Sequence, residues 1–221
     1  MEVRFQGFKR IHPLWNLHHV FAAIHTASRY TRSGCNPIQS IKVHPSMGTS
    51  VVPSCLFAAI DAVYLLADLK CSENISPDVE AREYGGCRFM LGTRQIVFRV
   101  AKTTPTKIGQ FVTLWKRPCA TSVIAPLDSN DNIDFVVIHA AGTEQSGQFV
   151  FDRATLLSHG VMSINGVGGK RALRVYPPWS RPIAKQALQT QQWQLQYFVT
   201  VEPSDQTLLQ HIKSLFKCSL K

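Results

Sequence analysis

The chain has 221 residues, of which 45% are hydrophobic and 17% are charged, and its mean hydropathy is −0.03. This length suits one domain with attached ends, and this share of apolar residues is enough to build a core, which argues against wholesale disorder. The longest apolar segment, residues 55–67, contains Asp61 and is shorter than the roughly 20 residues that a membrane-spanning helix needs. We therefore expect no membrane partner.

The charge is strongly positive and unevenly distributed. The 24 lysines and arginines exceed the 14 acidic residues by ten, and residues 85–126 and 154–200 contain no acid. Two long acid-free segments predict a concentrated positive surface, for which a polyanion such as DNA or RNA is the natural partner. Ordinary solubilising charge is the alternative explanation.

The cysteines and histidines point to no metal site. The six cysteines form no Cys-x-x-Cys pair, and we expect no secretory signal at the start of the chain. Free thiols in a reducing cytoplasm are therefore the default. The spacing of His12, His18, His19 and His25 fits no compact set of metal ligands.

The first part of the chain predicts an irregular extension followed by a helix and a hairpin. Turn formers recur through residues 1–53, which we interpret as the extension. Apolar residues at three- and four-residue steps predict a helix over 54–69, with Ser54 as its cap. Residues 87–91 and 95–100 alternate as strands do and flank a short glycine-containing connection, so they predict a hairpin.

The middle of the chain predicts further strands. Residues 103–109 predict a loop because Pro105 disfavours pairing, and residues 110–117 predict a third strand. The continuous apolar run at 134–138 predicts a strand buried on both faces. Residues 147–151 predict another strand.

The remaining elements complete a mixed sheet. Asp152 is the predicted cap of a helix over 153–159, and residues 171–175 predict a strand. Ser180 and Pro182 predict the start of a longer helix. We therefore predict an α/β (α+β) domain over 54–201, in which helices flank a mixed central β-sheet. Residues 202–221 predict an amphipathic tail helix.

The candidate phosphate contacts all lie in the two acid-free segments. The predicted loop 103–109 combines hydroxyls, a lysine and a glycine, and such a loop can present hydroxyl and backbone N–H donors to a phosphate. A plain solvated turn is the alternative. The predicted nucleic-acid contacts are Arg99, Lys102, Lys107, Lys116, Arg117, Lys170, Arg171, Arg174 and Lys185.

Several aromatic residues lie beside these cations. Trp115 precedes Lys116, and Tyr176 and Trp179 follow the basic segment 170–174. Exposed aromatic rings next to cations can stack bases while the cations hold phosphates. Core packing is the alternative interpretation, and we favour it for Trp193.

A metal-dependent nuclease is the catalytic hypothesis. Cleavage of this kind needs carboxylates that converge on Mg²⁺, usually with a lysine near the phosphate. Glu83, Asp134 and Lys102 are the candidates, and Gln110 could position the water. Val100 stands two residues before Lys102, so no acid-x-Lys pair forms there. We therefore expect binding without cleavage, no resident metal, and Mg²⁺ as cofactor only if the protein is a nuclease.

Five segments, in order, resemble the signature of the MepB family. They begin EYGGC (83–87) and FRVAKTTPTKIGQFVTLWKR (98–117), and continue with residues 147–151, 169–179 and 185–195. The resemblance runs from about residue 55 to 201. It implies a bacterial, cytoplasmic protein with a core similar to restriction-endonuclease-like folds and a nucleic-acid-binding surface. The alternative class is a protein-interaction module whose basic face meets an acidic partner.

Overall fold

The computed structural model describes residues 52–201 and 206–217. Almost all of the predicted extension over 1–53 lies outside the described residues. The helices described are α1 (Ser54–Ala59), α2 (Arg153–Ser158), α3 (Lys185–Gln194) and α4 (Gln206–Lys217), with a π-helical segment at Ile60–Tyr64 and 3-10 helices at Val79–Tyr84 and Leu195–Tyr197. The strands are β1 (Ser76–Pro77), β2 (Cys87–Leu91), β3 (Arg94–Val100), β4 (Lys102–Thr104), β5 (Lys107–Thr113), β6 (Trp115–Lys116), β7 (Ala125–Pro126), β8 (Phe135–Ala141), β9 (Ser146–Asp152), β10 (Ala172–Val175) and β11 (Phe198–Thr200).

A mixed six-stranded sheet forms the centre of the fold. Its strand order is β1-β2-β3-β8-β9-β11, and β3 and β8 run parallel while the other neighbours run antiparallel. A second sheet has the order β10-β5-β4, and β6 pairs with β7. The predicted class, a mixed sheet flanked by helices, is confirmed. The similarity to restriction-endonuclease-like folds stays a prediction.

Each face of the central sheet packs into its own hydrophobic core. The side chains of β8 alternate between the faces, so Phe135 and Val137 join the core that also contains Leu56 and Phe216. Val136 and its neighbours on the other face pack against residues of the small sheet and α2. Residues 135–140 are all buried, as the continuous apolar run predicted.

The helix over 206–217 belongs to the first of these cores. Ile212 and Phe216 are buried, and the Phe216 ring lies 5.0 Å from that of Phe135 and 5.8 Å from that of Tyr64 between centroids. The helix therefore covers the central sheet beside the π-helical segment that contains Tyr64. No helix in the described residues is long and apolar enough to span a membrane.

The small sheet departs from the prediction at the β4–β5 hairpin. Residues 103–109 were predicted as a loop, yet Lys102 pairs with Phe111 and Thr104 with Lys107. Pro105 lies in the short connection, where it needs no ladder hydrogen bond, so the proline does not prevent the hairpin. The predicted strand 110–117 is divided, because β5 ends at Thr113 and residues 115–116 pair with β7.

Helix starts were predicted with mixed success. Asp152 caps α2, because its Oδ1 accepts a 2.7 Å hydrogen bond from the Thr155 amide. Ser54 lies inside α1, whose cap is Pro53. The start predicted at Ser180 and Pro182 was wrong, since Ala184 is still extended (φ −71°, ψ 135°) and the helix begins at the next residue.

Candidate functional site

A cleft of about 690 Å³ lies between the β4–β5 hairpin, β10 and the first half of α3. We call it the basic cleft, because Lys107, Lys170 and Arg174 line it and none of its described lining residues is acidic. Lys107 and Lys170 are exposed, and Arg174 is half-buried. The structure therefore brings together three of the predicted phosphate contacts, from two separate parts of the chain.

Arg174 connects β10 to the hairpin. Its Nη1 donates to the carbonyl oxygens of Gly109 at 3.0 Å and Lys107 at 3.3 Å, and to Thr104 Oγ1 at 3.2 Å. Its guanidinium carbon lies 5.8 Å from the centroid of the Phe111 ring, which faces it across the strand pair. Arg174 therefore fixes the hairpin that carries Lys107, and it adds charge to the cleft.

Asp128 anchors the loop that leads to Lys170. Its carboxylate accepts hydrogen bonds from the Ser163 hydroxyl at 2.6 Å, the Gly166 amide at 2.8 Å and the Asn130 amide at 3.0 Å. These hydrogen bonds lower the pKa of Asp128 to about 2. The bond from the Ser163 hydroxyl has the largest effect, and the bonds from the two backbone amides have smaller ones. Asp128 was not predicted as a site residue, although an Asp-x-Asn turn is a known local signal for such bonds.

The N-terminal end of α3 forms another wall of the cleft. Ala184, Gln186 and Ala187 line it, and no side chain caps the helix. The first turn of the helix also lacks an acid. The positive end of a helix dipole favours anions, and Lys185, which is exposed at the first helical position, adds a full charge there.

Two further predicted contacts extend the positive surface beyond the cleft. Lys102 and Arg174 both face Phe111 across the small sheet, so they lie in one row on the same side of it. Lys102 is exposed and its Nζ lies 4.8 Å from the centroid of the Tyr84 ring. Arg171 is exposed just before β10.

Lys116, in β6, and Arg117, the residue after that strand, already have partners within the fold. Lys116 Nζ forms an ion pair with Asp131. Arg117 Nε donates to Glu80 Oε1 at 3.0 Å, and its Nη1 donates to the Ser122 carbonyl at 2.7 Å. Neither residue lines the basic cleft, so they do not belong to the same site as Lys107.

Arg99 is not available to a phosphate. Its side chain is fully buried, and its Nη2 forms a 2.6 Å ion pair with Asp78 Oδ2. Its Nη1 donates to the Phe98 carbonyl at 2.9 Å. The prediction that Arg99 contacts nucleic acid was wrong, because the strand alternation places it on the core face of β3 together with Val97 and Ala101.

The structure does not bring the predicted catalytic carboxylates together. Asp134 Oδ2 accepts a 2.8 Å hydrogen bond from the Gln95 amide near the start of β3. Glu83 is exposed and lies two residues before Gly85. A Cβ atom at Gly85 would lie 3.0 Å from Cγ2 of Val100, the last residue of β3, so this segment is at the opposite end of that strand. Five strand residues span about 16 Å, whereas carboxylates that share one Mg²⁺ lie within about 2.1 Å of the ion. Glu83 and Asp134 therefore do not fit a common metal site.

The predicted water-positioning residue lies apart from Asp134. Gln110 is buried, and its Nε2 donates to the Ala141 carbonyl at 2.7 Å and to Thr103 Oγ1 at 3.0 Å. Its amide thus joins the small sheet to the end of β8, whereas Asp134 precedes the start of that strand. Within residues 52–201 and 206–217, no group of three or more His, Cys, Asp or Glu side chains is arranged to hold a metal ion.

The aromatic candidates have different surroundings. Trp193 packs on Phe151 at 5.2 Å and stacks with His159 at 3.9 Å between centroids, consistent with the packing role favoured for it. Tyr176 lines the basic cleft, and its ring lies against the backbone of Gly109, where a Cβ atom would be only 2.7 Å from Cδ1. Tyr176 therefore presents an aromatic ring beside the cations.

One cysteine is chemically distinct from the others described. Cys119 is exposed, and its Sγ lies 2.7 Å from the Ser122 hydroxyl, which is the main cause that lowers the pKa of the thiol to about 7. Burial raises the pKa of Cys71 and Cys87 to about 11 and also raises that of Cys55. All four are free thiols.

The fold and the cleft together define an α+β protein with an acid-free basic cleft beside a small antiparallel sheet. The family model described as MepB-like matches residues 78–200, more than half of the chain, so the chain belongs to this family. It is also similar to the crystal structure of MepB, with 33% sequence identity and a TM-score of 0.55, over 57% of this chain and 85% of that one. No curated protein matches the chain. The family resemblance predicted from the sequence is confirmed.

Proposed function

We propose that the protein binds nucleic acid, DNA or RNA, mainly by contacts of the basic cleft with the phosphate backbone. The observation that carries the proposal is the convergence of Lys107, Lys170 and Arg174 on one concave surface whose described lining has no acid. Cations that meet without carboxylates favour an anionic ligand, and a row of phosphates supplies several anions at regular spacing.

The neighbouring groups support the same ligand. Lys185 and the uncapped start of α3 add positive potential on one side. Lys102 and Arg171 continue the exposed cations along the small sheet and beyond the cleft. A phosphate backbone can follow such a surface, whereas a single small anion would use only one part of it.

Binding is favoured over cleavage because the charges in the cleft suit phosphates and not a divalent cation. The carboxylates predicted to hold Mg²⁺ lie at opposite ends of β3, and no carboxylate lies among the described cleft residues. The proposed binding of nucleic acid therefore needs no cofactor. The family resemblance supports a bacterial protein that acts in the cytoplasm.

Fluorescence anisotropy with labelled oligonucleotides tests the proposal. Affinity should fall steeply with salt, with a log–log slope near −0.9 for each phosphate neutralised on duplex and near −0.7 on a single strand. Lys107→Ala and Lys170→Ala should each weaken binding and make the slope shallower by nearly one phosphate contact. The matched control is Lys70→Ala, which removes an exposed lysine whose carbonyl contacts Gly92 at the β2–β3 turn.

Two results would contradict the proposal. One is the absence of binding to any DNA or RNA at low salt, and the other is binding that does not depend on salt. Capture of an acidic protein that survives nuclease treatment would instead favour the protein-interaction module. The same oligonucleotides incubated with Mg²⁺, Mn²⁺ or EDTA should stay intact, and metal-dependent cleavage would show that the protein is a nuclease.

A further inference from the structure

Apolar side chains share the basic cleft with the cations. Ile183 and Ile108 line it and are 88% and 47% exposed. Pro182 and Ala187 add further apolar surface to its lining. A site for phosphates alone would gain nothing from isoleucines held in water, so these side chains indicate a ligand that also carries an apolar surface.

Tyr176 provides the aromatic surface at this site. Gly109 has φ +82°, and the absence of a Cβ atom there allows the tyrosine ring to approach the strand backbone. In the described part of the chain Tyr176 takes part in no aromatic ring pair, unlike Phe111, which contacts the Tyr84 ring at 6.1 Å. The ring is therefore supported on one side by the strand and is not committed to another ring.

We infer that the basic cleft takes an unpaired strand of nucleic acid, with a base against Tyr176 and Ile183 and the adjoining phosphates on Lys107 and Lys170. The inference rests on the proposed function and specifies its ligand. Bases of a single strand present their faces, which stack on aromatic and apolar side chains. A duplex buries those faces in its own stack, so it would bring only charged backbone against the isoleucines.

The size of the cleft agrees with this ligand. A volume of about 690 Å³ lies within the roughly 300–1,000 Å³ of pockets that enclose small organic ligands. A site of that size accommodates a few nucleotides.

Competition between strand types tests the inference. We would measure anisotropy of a labelled 12-nucleotide oligothymidine and of a 12-base-pair duplex at the same salt concentrations. The single strand should bind more tightly. Tyr176→Ala should weaken its binding roughly 5- to 150-fold, while Tyr176→Phe should preserve it.

The salt slope separates stacking from charge. Tyr176→Ala and Ile183→Ala remove no cation, so they should lower single-strand affinity without changing the slope, whereas Lys107→Ala should change both. Ile183 is almost fully exposed, so its alanine variant tests the cleft even if Tyr176→Ala fails to fold.

The outcomes distinguish this inference from the proposed function. Equal or tighter binding of the duplex would overturn the inference and leave the proposed function in place. Single-strand affinity that is unchanged in Ile183→Ala, and in Tyr176→Ala where that variant folds, would also overturn it. No binding of either oligonucleotide at low salt would overturn both.

Discussion

The buried ion pair between Arg99 and Asp78 should make Asp78→Ala severely destabilising. The Arg99 side chain is completely buried, whereas that of Asp78 is 17% exposed, and 2.6 Å separates Nη2 from Oδ2. Removal of the aspartate would leave a guanidinium in the core with one carbonyl partner, at Phe98. The guanidinium cannot lose its charge at accessible pH, so the cost cannot be avoided by deprotonation.

The expected loss is about 3 kcal/mol. Breaking a buried pair by removing one partner costs about 3–5 kcal/mol, and the lower end applies because the space left by Asp78 is partly open to water. At an m-value of about 2 kcal/mol/M, this lowers the urea midpoint by about 1.5 M. The double variant Asp78→Ala/Arg99→Met removes the charge as well, so it should be more stable than Asp78→Ala alone.

Urea unfolding followed by tryptophan fluorescence measures both variants. The reasoning would be refuted if Asp78→Ala lost less than about 1 kcal/mol, since the pair would then contribute no more than an exposed one. It would also be refuted if the double variant were no more stable than the single one. Arg99→Met should retain the salt-dependent binding of oligonucleotides, because Arg99 does not reach the surface.

Three further predictions concern other parts of the molecule. Cys119 should be alkylated by iodoacetamide at pH 7 before the other described cysteines, as measured by peptide mass spectrometry, because its pKa is lowered to about 7. The folded pKa of Asp128, lowered to about 2 mainly by the Ser163 hydroxyl, is below its unfolded value of about 3.9. Its stabilising contribution is therefore complete above about pH 4 and is lost as the pH falls towards 2, and Asp128→Asn should flatten this part of the stability profile. Gly109→Ala should lower the melting temperature more than Gly92→Ala: both have positive φ, which costs about 1–2 kcal/mol, but only the Cβ atom at Gly109 meets the backbone, 2.8 Å from a carbonyl oxygen.

Local patterns predicted the central sheet well. The alternation in residues 87–100 and the continuous apolar run at 134–138 identified β2, β3 and β8, because burial acts on each strand through the direction of its own side chains. The cap at Asp152 was likewise predictable, because the Thr155 amide that donates to its carboxylate is only three residues away. The short strand β4 was missed because Thr-rich segments beside a proline favour loops as well as hairpins.

The environment of Arg99 shows where local patterns fail. Its position between Val97 and Ala101 on one strand face indicates burial, whereas its positive charge alone indicates exposure. The partner that makes burial possible, Asp78, is 21 residues away along the chain. A charge therefore predicts that a side chain is exposed only where the fold provides no oppositely charged partner for it.

The sequence predicts that the protein has a surface rich in cations and poor in acids, but it does not predict which residues form the basic cleft. Lys107 and Arg174 are 67 residues apart in the chain, and they meet because β10 pairs with β5. Local sequence patterns do not predict which strands pair when the strands are far apart along the chain. The acid-free segments did indicate that cations would gather somewhere without carboxylates.

The arrangement of ion pairs explains why the cleft keeps its charge. Asp78, Asp131 and Glu80 engage Arg99, Lys116 and Arg117, all outside the cleft. Lys107, Lys170 and Lys185 form no ion pair with any residue that the structure describes, so no described carboxylate neutralises their positive potential. Such a potential repels a divalent cation and attracts a polyanion from a distance of about a Debye length, roughly 8 Å at physiological salt. The same charge distribution thus argues for phosphate binding and against a metal-dependent reaction at this site.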